Sequence, residues 1–230
     1  MKAQLANYIL IILIAHTLVY STLYYLDVKL YTGFLEVLSV PILGLYYVLK
    51  SNRVDGQYLL VLLAMLMADV INTFFLSYAN LSILLYGIVS LYYAYLIYRV
   101  NKEYSLKKLT ITIGVYMILY LIIIAQLFTY LSIDFGSILF YNFCLGVFVV
   151  LSWMNFTEKK STENYLLIAS STLIVLLSIA FAFDKYVTKT KIIDAYIINI
   201  LFLAGHSCMT FFKIRKEKVV YYYKNLKIKM

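Results

Sequence analysis

Two acidic residues lie deep within long apolar stretches of this sequence, and they are the groups best placed to do chemistry. Asp69 follows the run LLVLLAMLMA and has Asn72 one helical turn later, while Glu36 lies in the preceding apolar stretch. An ionisable side chain in hydrocarbon costs at least ~2.5 kcal/mol on insertion scales, so each such residue is a candidate for function. Carboxyl groups in this setting can transfer a proton to a substrate or bind a cation.

The remaining chemistry-bearing residues do not form a known motif. His16 and His206 are the only histidines, and neither has a cysteine or an acid beside it at ligand spacing. Cys144 and Cys208 both fall inside apolar runs and are predicted to be packing residues. The sequence also lacks a GxSxG elbow, a P-loop and an HExxH pair. We therefore expect no metal and no cofactor.

The composition requires these acids to be carried by helices within a membrane. The chain has 230 residues, of which 64% are hydrophobic and 13% charged, and its mean hydropathy is +0.87. A soluble domain is about half apolar and a quarter charged. Apolar runs of about 18 residues or more recur without the alternation of a transmembrane barrel. The predicted fold is an all-α, polytopic membrane helix bundle.

We predict eight transmembrane helices that form one domain over residues 1–212, followed by a basic, tyrosine-rich tail over residues 213–230. The only proline, Pro41, is expected to kink or open the second span near Glu36. The eight predicted spans are Leu5–Tyr25, Leu30–Leu49, Tyr58–Ser77, Leu81–Tyr98, Leu109–Leu131, Ile133–Phe156, Asn164–Phe183 and Ile192–Phe212.

The distribution of basic residues predicts the orientation. With a cytoplasmic N-terminus, 16 of the 20 Lys and Arg residues fall on the cytoplasmic side, which places both termini there. This topology explains the net charge of +9, so nucleic acid is not an expected partner. The tail is expected to meet anionic lipid headgroups. We expect a multi-pass protein of a cell membrane, such as a bacterial inner membrane.

The layout resembles the YhhN-like family of membrane proteins, which includes lysoplasmalogenases. That family has eight helices in a chain of similar length, with a Gly-Asp pair in the third helix that is similar to Ala68-Asp69 here. Val40-Pro41 stands where the family has a Lys-Pro step. In the sixth helix Tyr141-Asn142-Phe143 is similar to the family pattern, and in the last helix Tyr196 and His206 take the places of its Tyr and its Gln or His.

The resemblance implies hydrolysis of the vinyl-ether bond of a lysoplasmalogen, a lysophospholipid, to a fatty aldehyde and a glycerophospho-alcohol. In such a reaction one carboxylic acid protonates the β-carbon, and a second carboxylate stabilises the cation and directs water. Asp69 is the first candidate, and Glu36 or Asp184 would supply the second carboxyl group. The predicted substrate-binding residues are Asn72, Tyr196 and His206.

Two alternatives remain open. The family has Ser-Asp in the seventh helix, where this chain has Ser178-Ile179, and the next acid is Asp184, more than a turn later. The chain is then also a candidate for a homologue that binds lipid without catalysis. Asp69 and Glu36 are also the residue types that a proton-coupled transporter or sensor would use.

Overall fold

A computed structural model describes residues 2–100, 105–127, 135–184 and 192–227, and every regular element in these ranges is helical. Short turns separate the first four long helices, and Asp55 and Ser161 cap the third and seventh by accepting bonds from the backbone N–H groups of Gln57 and Asn164. The long helices are α1 (Lys2–Tyr25), α2 (Lys29–Lys50), α3 (Gly56–Phe74), α4 (Ala79–Val100), α5 (Leu106–Leu127), α6 (Phe135–Glu158), α7 (Thr162–Phe183) and α8 (Asn199–Lys227).

Seven of the helices in the described residues are long and apolar enough to cross a membrane. They are α1 to α4 and α6 to α8, the first turn of the α4 span being a short 3₁₀ segment at Leu76–Tyr78. Their outward faces are apolar: Leu60 and Phe143, for example, are 66% and 67% exposed. A surface covered by such residues is unsuited to water and matches lipid chains. The chain therefore has the architecture of a multi-pass membrane protein.

Side-chain contacts show how the helices run. Lys50 at the end of α2 donates to Asn7 near the start of α1 (3.2 Å), so these two helices are antiparallel. Tyr141 near the start of α6 contacts Ser178 near the end of α7 (2.6 Å). One end of the bundle, called the cavity end below, thus holds the last turns of α1, α3 and α7 and the first turns of α2, α4 and α6. The other end is called the basal end.

The strongest packing is between helices that are not all neighbours in sequence. α4 packs along α6, and α7 packs along α8. Gly205 allows the second pair to approach closely, because a Cβ atom at this position would lie 2.9 Å from Ile174. Ser170 adds a bond to the Gly205 carbonyl (2.8 Å). α5 contacts chiefly α6 and is the most peripheral helix of the bundle.

A polar cluster ties the basal end together. We call it the basal cluster and define it as Tyr47, Ser51, Asp55, Lys213 and Glu217. Lys213 Nζ lies 2.5 Å from Asp55 Oδ2 and 3.6 Å from Glu217 Oε1. The hydroxyls of Tyr47 and Ser51 donate to the two oxygens of Glu217 (2.6 and 2.5 Å). The cluster fixes the α2–α3 turn against α8.

The structure departs from the sequence prediction in several boundaries. α2 continues as a helix through Pro41, so no opening occurs near Glu36. The irregular segment is instead a π-helical stretch at Ile193–Ile198, immediately before α8. The predicted spans over residues 109–131 and 133–156 meet in 128–134, which lies outside the described residues. Asp134 is one of the residues outside the described ranges.

The predicted tail begins as a continuation of the last helix. α8 continues to Lys227, so residues 213–227 extend the last helix beyond the predicted end at Phe212. Lys213 is held by the acids of the basal cluster, and Lys216 lies over the ring of Phe212 (5.7 Å). At least these two basic residues therefore have contacts within the protein. Residues 228–230 and the side chains from 218 onward lie outside what the structure describes, and so do Lys185, Lys189 and Lys191.

Candidate functional site

A cavity of about 850 Å³ lies within the bundle, and side chains from all eight long helices line it. Four of the residues predicted from sequence are among them: Asp69, Glu36, Asn72 and His206. They come from three helices: the consecutive helices α2 and α3 supply the first three residues, and α8, distant from both in sequence, supplies His206. The structure thus brings these four residues to one place.

Asp69 is placed inside the bundle by its position on α3. It precedes the end of the helix at Phe74 by five residues, or about 8 Å at the ~1.5 Å rise of an α-helix. Its side chain is buried, with 7% exposure, and Tyr86 of α4 donates a hydrogen bond to its Oδ1 atom. The carboxyl group is therefore held in one orientation at the wall of the cavity.

Glu36 is the second acid of the cavity. It lies seven residues into α2, at a depth similar to that of Asp69, because α2 and α3 run in opposite directions. Of the described residues that line the cavity, none is Lys or Arg. The charged groups on this part of the wall are thus both acids.

Asp184 and Tyr196 are placed elsewhere. Asp184 follows the last turn of α7 as its cap and is not one of the residues that line the cavity. Tyr196 belongs to the π-helical segment, where its ring packs on Tyr25 (5.8 Å) and its hydroxyl reaches Thr22 (3.4 Å). The second carboxyl group of the cavity is consequently Glu36, and Ile179 of α7 lines the wall where the resemblance implies an acid.

His206 lies deeper in the bundle and is 3% exposed. Its Nδ1 atom is 3.0 Å from the hydroxyl of Tyr93, and its ring packs against Phe202 (4.6 Å). The hydroxyl of Tyr58, a second buried tyrosine, is 2.9 Å from that of Thr210. The imidazole is therefore positioned by the Tyr93 hydroxyl and the Phe202 ring.

The cavity is elongated, with a polar part and an apolar part. Polar side chains of α2, α3, α4 and α7 collect toward the cavity end of the bundle. Along α6 the lining extends from Ile138 to Trp153, which spans about 22 Å at ~1.5 Å per residue, and its deeper members, Leu145, Val149 and Trp153, are apolar or aromatic. This shape fits a molecule with a polar head and one apolar chain.

α5 forms one wall of the cavity and packs on α6, most tightly at Tyr116. Tyr116 lies against Gly146 of α6 so closely that a Cβ atom there would overlap its ring. Its hydroxyl donates to the carbonyl of Asn142 (2.7 Å). Only glycine at position 146 allows this approach. The contact places Tyr116, Leu119, Tyr120 and Ile122 of α5 in the cavity wall.

Sequence reasoning did not predict Tyr86, the partner of Asp69, as a site residue. The chain has 25 tyrosines, and most of those at helix ends suit a membrane interface, so one buried tyrosine carries no distinguishing signal. Tyr116 was missed for the same reason. Ser178 was noted only for the residue that follows it. In the structure it contacts Tyr141 and lines the cavity.

No metal cluster is evident in the part of the chain that the structure describes. Within it, no three His, Cys, Asp or Glu side chains come close enough to hold an ion.

Comparisons with family models, with curated proteins and with solved structures found no match to this chain. The resemblance to the YhhN-like family therefore remains a prediction from the sequence alone.

Proposed function

We propose that this chain is an eight-helix membrane protein with both termini on the cytoplasmic side and that it hydrolyses the vinyl-ether bond of a lysoplasmalogen in the cavity. The observation that carries the proposal is the arrangement of Asp69 and Glu36 at the polar part of an elongated, otherwise mostly apolar cavity. A single-chain lipid has the matching form, since its apolar chain can follow α6 while its head lies at the acids.

α5 is the proposed eighth span. It is a 22-residue helix, and its apolar residues are strongly exposed on several sides. Ile111, Val115, Ile118 and Leu121 have exposures between 55% and 61%. An apolar surface of this kind requires lipid beside it. With eight spans, the basal end is cytoplasmic and the cavity lies toward the opposite face, in keeping with the distribution of Lys and Arg.

The proposed reaction is an acid-catalysed hydration. Asp69, in its protonated form, gives its proton to the β-carbon of the vinyl ether, and the double bond becomes an oxocarbenium ion. Glu36 stabilises this cation and takes a proton from the water molecule that adds to the α-carbon. The resulting hemiacetal breaks its C–O bond and yields the aldehyde and the alcohol. The proton returns to Asp69, so one water is consumed overall and the acids are regenerated.

Tyr86 has a positioning role in this scheme. Its hydrogen bond to Oδ1 leaves Oδ2 of Asp69 as the oxygen available for proton transfer. Asn72, one turn after Asp69, is placed to orient the water or the head of the lipid. Access from the lipid phase suits a substrate that resides in the membrane, and α5 is the wall with the fewest contacts.

The test is aldehyde release from a lysoplasmalogen by the purified protein in detergent. We expect Asp69→Asn to lower the rate by ~100-fold or more, because a positioned general acid contributes about 10²–10⁴-fold. The matched control is Asp27→Asn, which removes the same charge from an exposed position at the same end of the bundle. Asp27 has a positive φ of 61°, which asparagine tolerates. Equal rates in both variants would sink the proposal.

Lipid binding without hydrolysis is the second candidate, and Ile179 is the observation that favours it. This residue lines the cavity at the position where the resemblance implies an acid. If a folded wild-type sample releases no aldehyde, the substitution Ile179→Asp distinguishes the two candidates. A gain of hydrolysis in that variant indicates a binding protein that has lost its second acid, with Glu36 unable to replace it.

A further inference from the structure

Two tyrosines of α5 form a flat aromatic surface on one side of the cavity. The rings of Tyr116 and Tyr120 stack one helical turn apart, with their centroids separated by 6.2 Å and their planes inclined by 8°. Both residues line the cavity. A tyrosine side chain is stiff, because it has few rotatable bonds for its size. This part of the wall therefore yields less readily than one made of flexible aliphatic chains.

Tyr116 stands beside the path from the polar part of the cavity to its apolar part. Its hydroxyl donates to the Asn142 carbonyl (2.7 Å), and its ring lies against Gly146. Gly146 is 11 residues beyond the start of α6, or about 16 Å along the helix. Val149 and Trp153 line the cavity deeper still. A chain that follows α6 from the acids toward Trp153 must therefore pass the ring of Tyr116.

The other neighbours of α6 are held against it by more extensive packing. α4 packs along α6, where a Cβ atom on Gly87 would lie 2.8 Å from the ring of Phe140. α7 is joined to α6 by packing and by the hydrogen bond between Tyr141 and Ser178 (2.6 Å). α5, by contrast, contacts chiefly α6 and exposes apolar residues on several sides. Of the described helices beside α6, α5 is thus the one that separates the cavity from lipid with the least packing.

The contact between Tyr116 and Gly146 closes this thin wall to a lipid chain. A Cβ atom at position 146 would already overlap the ring, so a methylene group of a ligand has no room between the ring and the α6 backbone. To admit a chain, the ring must leave α6, which breaks its bond to Asn142 and the packing that holds α5. Forcing methylene groups into a packed contact is unfavourable.

We propose that Tyr116 is a specificity-determining residue of the cavity and restricts the ligand to amphiphiles with one apolar chain. The first chain of a lipid follows α6 toward Trp153. A second chain on the same head must leave the cavity between α5 and α6, where the ring of Tyr116 stands. This inference rests on the proposed binding of a single-chain amphiphile, but it does not depend on the hydrolysis.

Photolabelling measures whether a lipid chain is inside the cavity. The probes are a lysophosphatidylcholine and the diacyl phosphatidylcholine with two copies of the same chain, each with a diazirine in the middle of one chain. Neither probe has a vinyl ether, so cleavage does not interfere. The purified protein is labelled in detergent, and the yield at Leu145 is measured by mass spectrometry of the α6 peptide. Leu145 lines the cavity and is only 2% exposed, so labelling there reports a chain within the bundle.

We expect the one-chain probe to label Leu145 of the wild type ~10-fold more than the two-chain probe, because overpacking a contact lowers affinity by at least this order. In Tyr116→Ala the two yields should become nearly equal. Tyr116→Phe keeps the ring and loses only the hydroxyl, so it should retain the wild-type preference. The control is Tyr98→Ala, which removes an exposed ring of α4 that does not line the cavity.

Gly146→Ala tests the same contact from the other side and keeps the tyrosine. The added Cβ atom must displace the ring, so this variant should also admit the two-chain probe. An unchanged preference in Tyr116→Ala overturns the proposal, and if that variant does not fold, Gly146→Ala decides in the same way. Loss of the preference in Tyr116→Phe also contradicts it, since the ring is still present.

The wild type separates this inference from the proposed reaction. Equal labelling by both probes, or labelling by neither, overturns the role of Tyr116. If the one-chain probe is preferred but no lysoplasmalogen is cleaved, the hydrolysis fails and this inference stands. Cleavage by a wild type that admits both probes has the reverse meaning.

Discussion

The basal cluster and the cavity, the two polar regions of this bundle, differ in how their acidic side chains are paired. In the basal cluster, Asp55 and Glu217 both contact Lys213. The hydroxyls of Tyr47 and Ser51 donate to Glu217, and the backbone N–H of Gln57 donates to the other oxygen of Asp55. In the cavity, Asp69 accepts from Tyr86, and no Lys or Arg is among the described residues of the wall beside it. An acid that is fully paired stabilises the fold, whereas one kept beside a cavity without a cation is retained at the expense of stability. The comparison therefore separates a structural site from a functional candidate.

Removal of the central cation should have the largest effect on stability. Lys213→Met leaves Asp55 and Glu217 side by side with no positive charge, at positions only 26% and 12% exposed. We expect the free energy of unfolding to fall by about 3 kcal/mol, as when one partner of a buried ion pair is removed. The measurement is the midpoint of thermal unfolding in one detergent. Lys50→Met is the control, since its amine bonds only to a neutral amide at an exposed site.

The ion pair between Asp55 and Lys213 should also be weakened at low pH. Burial raises the pKa of Asp55, but the hydrogen bond and charge of Lys213, with bonds from the Gln57 and Tyr58 backbones, more than compensate and hold that pKa below its usual range. A lowered pKa in the folded state means that this stabilisation is present above about pH 4 and is lost as the pH falls through the folded value. We expect about 1 kcal/mol for this partly exposed carboxylate.

The acid dependence is measured as the unfolding midpoint between neutral and strongly acidic buffer. At neutral pH the unfolding midpoint of Asp55→Asn should be lower than that of the wild type. On acidification it should fall by less than the wild-type midpoint does. Parallel curves for the two proteins would show that the Asp55–Lys213 pair contributes nothing. The difference between the proteins, and not the absolute loss, carries the information, because other carboxylates titrate in the same range.

The smallest effect on stability is expected at Asp69. The amide introduced by Asp69→Asn keeps an oxygen that can accept the bond from Tyr86, and the substitution removes an acid from hydrocarbon. We expect the unfolding midpoint to stay unchanged or to rise, while the variant loses its activity toward the lipid. A fall as large as that of Lys213→Met would make Asp69 a structural residue. The distinction between the two regions would then fail.

The helical membrane architecture could be predicted from composition and run length. Lipid leaves the backbone no partners, so a long apolar run must form a helix regardless of its neighbours. For the same reason Asp69 and Glu36 could be singled out, because an acid in such a run is costly wherever the helix packs. The ends of the helices were harder to predict from the sequence. α8 continues past Phe212, where Lys213 and Glu217 contact residues of the α2–α3 turn.

Tertiary structure decided which of the candidates meet. Asp69 and Glu36 share a cavity because α2 and α3 are antiparallel, whereas Asp184 and Tyr196 lie outside it at the end of α7 and in a π-helical turn. Tyr86 contacts Asp69 only because α4 packs beside α3. Tyr116 reaches the cavity wall only because Gly146 of α6 has no side chain to block its ring. Local sequence fixes which residues are costly to bury in lipid, since that cost belongs to each residue. It does not fix which of them become partners, since that depends on contacts between helices distant in sequence.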